Sequence, residues 1–399
     1  MGPRNQINVP DGVAVLTASV VTPGLIDAHS IVPLAGEYAI PADSDADEKS
    51  DPNQADGRTL DAFNPREPLL RYLLEQGVTV VHACPGRANV IGGMTGVFRT
   101  SGATAESMAV RFPQAMLFNL GVEPKETYEG KRPTTRMGTA AIVRQALVDA
   151  GNYASKIREF NEKQLKQKKE AEKGDKDDKN GKGEKSPPKP DLKAEALGRL
   201  LSRQIPALFC AQQADDILTA LRITREFKLN GQIALAGEGY LCTDELQKAG
   251  VPVIVHPTMQ RIGSLETYNS FLGNASVLAG KGIPIAIGSG VEDYVPKTRV
   301  VRYEAAMAMV YGLGFDRALQ AVTLDAAKIL GIDDRFGSVE PGKAADLVLY
   351  DGDPFEHATH TTHVLVDGKL VFDRSQKPPV SVAERSWILS SELPCCLGW

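Results

Sequence analysis

The second half of the chain alternates short apolar runs with helical patterns, and this alternation limits the folds open to it. Between residues 205 and 330, apolar runs of about five residues precede segments with apolar positions on one helical face, such as residues 214–227. Parallel strands joined through helices require right-handed crossovers. The sequence therefore predicts an α/β fold built on a parallel sheet.

A strand near the start of the chain carries polar side chains at its end. Pro23-Gly24 predicts a turn, Leu25-Ile26 is apolar, and Asp27 and His29 follow. Two residues apart on a strand, Asp27 and His29 point to the same face. A (β/α)8 barrel places its active site at the carboxyl ends of its strands. Residues 20–30 therefore fit a first barrel strand whose tip could coordinate a metal.

Residues 23–29 resemble the first barrel strand of the amidohydrolase superfamily, which usually reads Pro-Gly-Leu-Ile-Asp-x-His-x-His. Residues 337–372, with a hairpin predicted around Asp367-Gly368, look like the C-terminal half of the small β-sandwich of imidazolonepropionase-like amidohydrolases. The resemblance implies a (β/α)8 TIM-like barrel with a small C-terminal β-sandwich. Only about twenty residues precede the first barrel strand, so either the start is truncated or the sandwich is incomplete and has exposed edges.

The resemblance and the composition together predict four parts. Residues 1–19 would hold a residual sandwich strand at Val13–Ala18, residues 20–335 the barrel, residues 336–375 the sandwich strands and residues 376–399 a tail. Residues 156–195 are highly charged and form a predicted insertion in the barrel. Its first part fits a solvated helix that continues to about Glu172, while residues 174–185 bury too little apolar surface to become ordered.

Most positions where the family carries metal ligands hold other side chains in this sequence. The family hydrolyses amide and other non-peptide C–N bonds, including those of cyclic amides, with one or two metal ions, usually zinc. His29 matches the first histidine, but Ile31 stands where the second is expected. The other positions at which the family has histidine or aspartate hold Cys210, Gln212, Ala234, Leu235, Ala236 and Gly290. The resemblance thus implies a kept scaffold with a degenerate metal site.

Several polar side chains nevertheless remain at the predicted barrel mouth. The candidates are His29 (a remnant metal ligand), His82, Cys210, Gln212, Glu238, His256, Glu292 and Asp293. Two hypotheses stay open. The chain could be a pseudoenzyme that binds a small molecule or acts as a structural partner of an active homologue. Alternatively, it could be an active hydrolase with a single zinc ion held by His29, His82 and His256.

Composition narrows the range of partners and compartments. A net charge of −5 gives no reason to expect nucleic acid, and no run of 18 apolar residues predicts a membrane span. The five cysteines are scattered, which argues against a disulfide framework and favours a reducing compartment. We therefore expect a cytoplasmic protein that binds a small molecule or forms a homo- or hetero-oligomer. Export stays open because the true N-terminus could lie upstream.

Overall fold

The computed structural model describes residues 6–36, 40, 42–172, 186–259, 264–290 and 300–376. Its strands are β1 (Val20–Pro23), β2 (Leu25–Ser30), β3 (Val78–Ala83), β4 (Ile91–Met94), β5 (Gly96–Arg99), β6 (Ala109–Arg111), β7 (Met116–Asn119), β8 (Ala207–Ala211), β9 (Gly231–Leu235), β10 (Val253–Val255), β11 (Ile285–Ile287), β12 (Leu347–Tyr350), β13 (Thr361–Val366) and β14 (Lys369–Asp373). Its α-helices are α1 (Val32–Ala35), α2 (Thr59–Ala62), α3 (Pro68–Glu75), α4 (Ala105–Met108), α5 (Glu123–Thr127), α6 (Arg136–Glu172), α7 (Leu192–Leu201), α8 (Ala214–Glu226), α9 (Thr243–Ala249), α10 (Asn274–Gly280), α11 (Val301–Ala308), α12 (Phe315–Ala321) and α13 (Leu324–Leu330).

The central strands form a ring, which confirms the predicted (β/α)8 TIM-like barrel. One sheet has the order β11-β10-β9-β8-β7-β4 and the other the order β2-β3-β5-β6. They join where Gly290 N donates to His29 O at 2.9 Å and Ile31 N donates to Gly290 O at 3.3 Å. They join again at Thr95, which links β4 to β5 and whose backbone N donates to Ala115 O at 2.9 Å. The C-terminal strand tips therefore surround one mouth.

One position of the ring departs from the parallel pattern. β4 pairs antiparallel with β7, and β5 pairs antiparallel with β3. The segment from β4 to β5 therefore lies as one bent antiparallel strand between β3 and β7, within a stretch rich in glycine. Gly93 has φ +103°, and a Cβ there would lie 2.7 Å from the carbonyl oxygen of Gly57. Glycine is needed at this position because the backbone of the preceding loop approaches so closely.

Apolar side chains fill the ring and the layer between the ring and its helices. All six residues of β2 and of β3 are buried, as are all five of β8 and of β9. Strands covered on both faces carry nearly continuous apolar runs, which is why the sequence pattern located them. The polar residues within these runs, such as His29 and His82, are consequently held inside the protein.

A four-stranded antiparallel sheet lies beside the barrel, in the order β1-β12-β13-β14. Val348, Val364 and Phe372 of this sheet pack around Leu74 of α3. The predicted hairpin turn at Asp367-Gly368 is confirmed, since both residues have positive φ, +53° and +75°. The predicted strand Val13–Ala18 is wrong: the strand that pairs with β12 is β1, because its backbone and not that of residues 13–18 lies beside β12. The predicted domain boundaries stay a prediction.

The charged insertion begins as helix, as predicted. Helix α6 continues to Glu172, and α7 packs along it. Residues 174–185, predicted to be disordered, lie outside the described residues, as do Glu292 and Asp293. No helix in the described part of the chain is both long enough and apolar enough to cross a membrane.

Candidate functional site

His29 and Cys210 meet across the interior of the ring. They belong to β2 and β8, which are not neighbours in the strand order, and both are fully buried. Nε2 of His29 lies 3.3 Å from Sγ of Cys210. Nδ1 of His29 has no hydrogen-bond partner among the described residues. The structure therefore brings together two residues, His29 and Cys210, that the sequence predicted at the barrel mouth.

The His29–Cys210 pair is electrically neutral at neutral pH. Burial lowers the pKa of His29 to about 3, with smaller contributions in the same direction from His82, His256 and Arg87. Burial raises the pKa of Cys210 to about 12, although Arg87 opposes this rise. A neutral thiol beside a neutral imidazole forms a weak hydrogen bond and not the thiolate–imidazolium pair of an activated cysteine.

His82 is held by the barrel wall on both sides of its ring. Nδ1 lies 2.8 Å from Ala28 O, and Nε2 lies 2.8 Å from Oγ1 of Thr95. Because a carbonyl oxygen can only accept, Nδ1 carries the proton and Nε2 accepts from the Thr95 hydroxyl. Neither nitrogen then offers a lone pair to a metal. His82 instead joins β3 to β2 and to the antiparallel strand.

Asp27 also turns its carboxylate towards the barrel wall. Oδ1 accepts from the backbone N–H groups of Ser289, at 2.9 Å, and His29, at 3.3 Å, while Oδ2 accepts from the Ser289 hydroxyl at 2.5 Å. Burial raises the pKa of Asp27 to about 6, and the hydrogen bonds from Ser289 moderate this rise. Asp27 and His29 therefore do not form the paired metal ligands that their spacing suggested.

The remaining candidates lie just after β8, β9 and β10 and hold adjacent loops together. Oε1 of Gln212 accepts from Gly237 N at 2.9 Å. Glu238 accepts from Ala214 N at 2.8 Å through Oε2 and from Asn269 at 2.9 Å through Oε1. In His256, Nδ1 lies 3.3 Å from Gly288 O. These contacts place Gln212, Glu238 and His256 at the mouth, but each of them bonds to backbone or to a neighbouring loop.

Gly290, where the family has aspartate, lies directly beside His256. Its φ is +84°, and a Cβ there would lie 2.3 Å from Cδ2 of His256. A side chain at this position would be strained by the backbone and would collide with the imidazole. The imidazole of His256 therefore occupies the space that a side chain at position 290 would need.

An ion pair that sequence reasoning missed lies across the mouth. Arg87, in the loop after β3, places Nη2 2.7 Å from Oε2 of Glu266, in the 3-10 turn Leu265–Thr267 after β10, and their side chains are 11% and 5% exposed. Burial alone would lower the pKa of Arg87, but the carboxylate of Glu266 more than offsets this and raises it. Nothing in the sequence marked Glu266, which is 179 positions from its partner.

The described residues do not fit the metal that the family implies. No group of three or more His, Cys, Asp or Glu side chains within them could hold an ion. Ile31, in place of the second histidine, is 4% exposed and packs with Leu34, Ala35 and Ala46. The proposed zinc ligands His29, His82 and His256 do not form a set of three donors, because both nitrogens of His82 are hydrogen-bonded to the barrel wall.

Comparison with known proteins identifies the lineage. The model of the amidohydrolase family matches residues 269–377. The crystal structure of an amidohydrolase from Thermotoga maritima is similar over 94% of this chain and 92% of its own, with a TM-score of 0.81 and 34% sequence identity.

Curated proteins give a consistent result over shorter shares of their length. "Amidohydrolase tasK" of Hapsidospora irregularis is 26% identical over 394 residues, which is 94% of this chain and 39% of that protein. An imidazolonepropionase of Thermoplasma volcanium is 32% identical over 111 residues, or 26% of this chain and 27% of that protein. The chain thus spans less than half the length of these curated relatives. With the full-length similarity to the Thermotoga structure, the matches show that the chain belongs to the amidohydrolase family.

Proposed function

We propose that this amidohydrolase-family chain is a pseudoenzyme, which uses its barrel as a binding or structural module and does not carry out metal-dependent hydrolysis of C–N bonds. The observation that carries the proposal is the hydrogen bonding of His82. Its two nitrogens are both engaged at 2.8 Å, so the best remaining set of three histidines loses a ligand. A zinc site needs at least three protein donors that converge on one point.

The charge of the mouth supports the same proposal. The guanidinium of Arg87 is close enough to His29 and Cys210 to shift the pKa of both. A fixed positive charge beside the remnant ligand repels a divalent cation. Glu266 offsets this charge locally, but its carboxylate is committed to Arg87 and to Val122 N, which donates to it at 2.6 Å.

Elemental analysis of the purified full chain after equilibration with zinc tests the proposal. We expect less than about a tenth of a zinc ion per chain, because two or fewer free donors bind zinc weakly. His29→Ala should leave this content unchanged, and a panel of cyclic amides with added zinc should not be hydrolysed. A content near one zinc per chain that His29→Ala removes would instead favour the active hydrolase with a rearranged single-metal site.

The family's own activity, hydrolysis of non-peptide C–N bonds such as those of cyclic amides, is the alternative that this test addresses. If the metal is absent, co-purification separates the two remaining roles. A structural partner should form a hetero-complex with a homologue that retains the full ligand set, whereas a binding module should be found without one. Native mass spectrometry of the complex would distinguish these outcomes.

A further inference from the structure

An exposed apolar surface is centred on α10 and on two turns beside this helix, Gly239–Leu241 and Met309–Leu313. We call it the apolar patch, and it consists of Leu241, Tyr268, Phe271, Val277, Val310 and Tyr311. These six side chains are 38% to 69% exposed. Single exposed apolar residues are ordinary on a protein surface, whereas a contiguous group of them marks an interaction site.

Contacts between the three segments make the patch continuous. The ring centroid of Phe271 lies 5.2 Å from that of Tyr240 in the first turn. Tyr240 N donates to Oδ1 of Asn274, the first residue of α10, at 2.9 Å. The second turn also approaches α10, because a Cβ on Gly312 would lie 3.0 Å from Oγ of Ser276. The exposed side chains of the helix and of both turns therefore lie side by side.

The patch carries no exposed charge. In residues 239–243, 264–280 and 309–315, all within the described part of the chain, the one charged side chain is Glu266, which is buried in its ion pair with Arg87. Charged residues make up 24% of the whole chain, so these segments differ from the rest of it. Few charges together with exposed tyrosine and phenylalanine are typical of the core of a protein–protein interface.

The size of the patch matches one half of a dimer interface. With about 150–250 Å² for a whole aromatic side chain, the exposed fractions of the six side chains amount to about 600 Å². A standard interface buries about 800 Å² on each partner, and the interfaces of homodimers are about 65% apolar. The patch therefore supplies the apolar area that a stable dimer needs.

We propose that the apolar patch is the interface of a homodimer, in which a second copy of this chain packs its own patch against it around a two-fold axis. Charge favours a second copy as the occupant. Two chains with a net charge of −5 repel each other where charged surfaces meet, but a patch without exposed charge can face its own copy. A different partner is selected through complementary charges, which the patch lacks. The proposal does not depend on whether the barrel is catalytic.

Sedimentation velocity of the full chain, over a concentration series from about 0.1 to 100 μM, tests the proposal. We expect a monomer–dimer equilibrium in which the dimer predominates at the upper end. A chain that stays monomeric throughout the series would overturn the proposal, even if it formed a complex with another protein. Oligomers that keep growing with concentration would show a head-to-tail contact and would also overturn it.

Matched variants locate the interface. Leu241→Glu combined with Val310→Glu places like charges opposite each other across the two-fold axis, so the dissociation constant of the dimer should rise at least about a hundredfold. The control combines Leu192→Glu on α7 with Val148→Glu on α6, which adds the same charges at exposed apolar positions outside the patch. The control should leave the dimer unchanged. Equal weakening in both variants would attribute the effect to net charge and contradict the proposed interface.

Amide hydrogen exchange of the unaltered chain locates the interface without any substitution, so the proposal stays testable if a variant does not fold. Peptides that cover residues 264–280 and 309–313 should exchange more slowly at the upper end of the concentration series than at the lower end. Peptides that cover α7 should exchange equally at both. Protection that appears elsewhere and leaves the patch unchanged would overturn the proposal.

Discussion

Where β3 meets the antiparallel strand, both nitrogens of His82 lie 2.8 Å from hydrogen-bonding partners. Among the described residues, the side chain of His29 on the adjacent β2 has one such partner, the thiol of Cys210 at 3.3 Å. Both histidines are fully buried. The difference is that His82 points along the barrel wall and His29 points across the ring. His82 therefore joins neighbouring strands, whereas His29, one strand away, keeps one nitrogen without a hydrogen-bond partner among the described residues.

If the chain is the pseudoenzyme proposed above, this contrast explains how its barrel keeps buried histidines without holding a metal ion. Hydrogen bonds in the wall fix His82 and Asp27, and the ion pair of Arg87 with Glu266 spans the mouth. A buried polar group must be satisfied or it destabilises the fold. Wall bonds of this kind satisfy buried polar groups of the mouth without a metal ion.

The largest expected effect comes from breaking the ion pair across the mouth. Arg87→Met leaves the Glu266 carboxylate buried without its partner, so the free energy of unfolding should fall by about 3–5 kcal/mol in urea denaturation. Arg144→Met is the matched control: its ion pair with Glu226 is 36% and 45% exposed, and it should cost at most about 1 kcal/mol. Equal losses in the two variants would mean that the mouth is open to solvent. Adding Glu266→Gln to Arg87→Met should restore part of the loss.

Acid should destabilise the protein through His82, the histidine of the two whose nitrogens are both hydrogen-bonded. Burial lowers the pKa of His82 to about 4, although the Ala28 carbonyl raises it somewhat. On acidification, His82 therefore binds a proton near pH 6.5 in the unfolded chain but only near pH 4 in the folded protein. Stability from this group is complete above pH 6.5 and is lost on acidification towards pH 4, by about 3 kcal/mol in total.

The variant His82→Gln isolates this contribution from other titrating groups. Asp27 acts in the opposite direction, since burial raises its pKa to about 6 and its stabilising effect declines as the pH rises from about 4 to 6. Urea melts between pH 4.5 and 6 should show a slope smaller by about 1 kcal/mol per pH unit in His82→Gln. An unchanged slope would place a charged, solvated His82 in the folded protein.

An aspartate at position 290, where the resemblance expects one, should not create a metal site, because the imidazole of His256 occupies the space that its side chain would need. Gly290→Asp should cost about 2 kcal/mol more than Gly282→Asp, since both glycines have positive φ but only a Cβ at 290 meets His256. Thermal melts measure the stability, and elemental analysis should show no gain of zinc. A stable Gly290→Asp protein that binds zinc would mean that His256 and its loop move aside readily.

Sequence reasoning located most of the fold because the fold depends on local patterns. A hairpin turn was predicted at Asp367-Gly368, and the long helix was predicted to end near Glu172; both are confirmed. The antiparallel strand was missed because its glycines indicate turns, while its ladder forms only when the ring closes around Thr95. Residues 13–18 form an apolar run that is typical of a strand, but none of the described strands pairs with them.

The candidate site was predicted less well, because its contacts join residues that are far apart in the sequence. Sequence placed His29, His82 and Cys210 at the mouth, since each lies at the end of an apolar strand. It could not say that His82 would bond to Thr95 or that Arg87 would meet Glu266, because partners so distant in sequence are set by the closed ring. The tertiary structure therefore decides which polar side chains at the mouth have no hydrogen-bond partner.

The smallest expected effect concerns the coupling between His29 and Cys210. Because burial keeps the thiol and the imidazole neutral, their contact is a weak hydrogen bond, and a double-mutant cycle with His29→Gln and Cys210→Ala should give a coupling energy of about 0.5 kcal/mol. Urea denaturation of the four proteins at pH 7 measures it. A coupling energy above about 2 kcal/mol would indicate a charge-assisted pair. Cys210 would then be an activated cysteine. His29 would be a reactive histidine, in contrast to His82, which has a structural role.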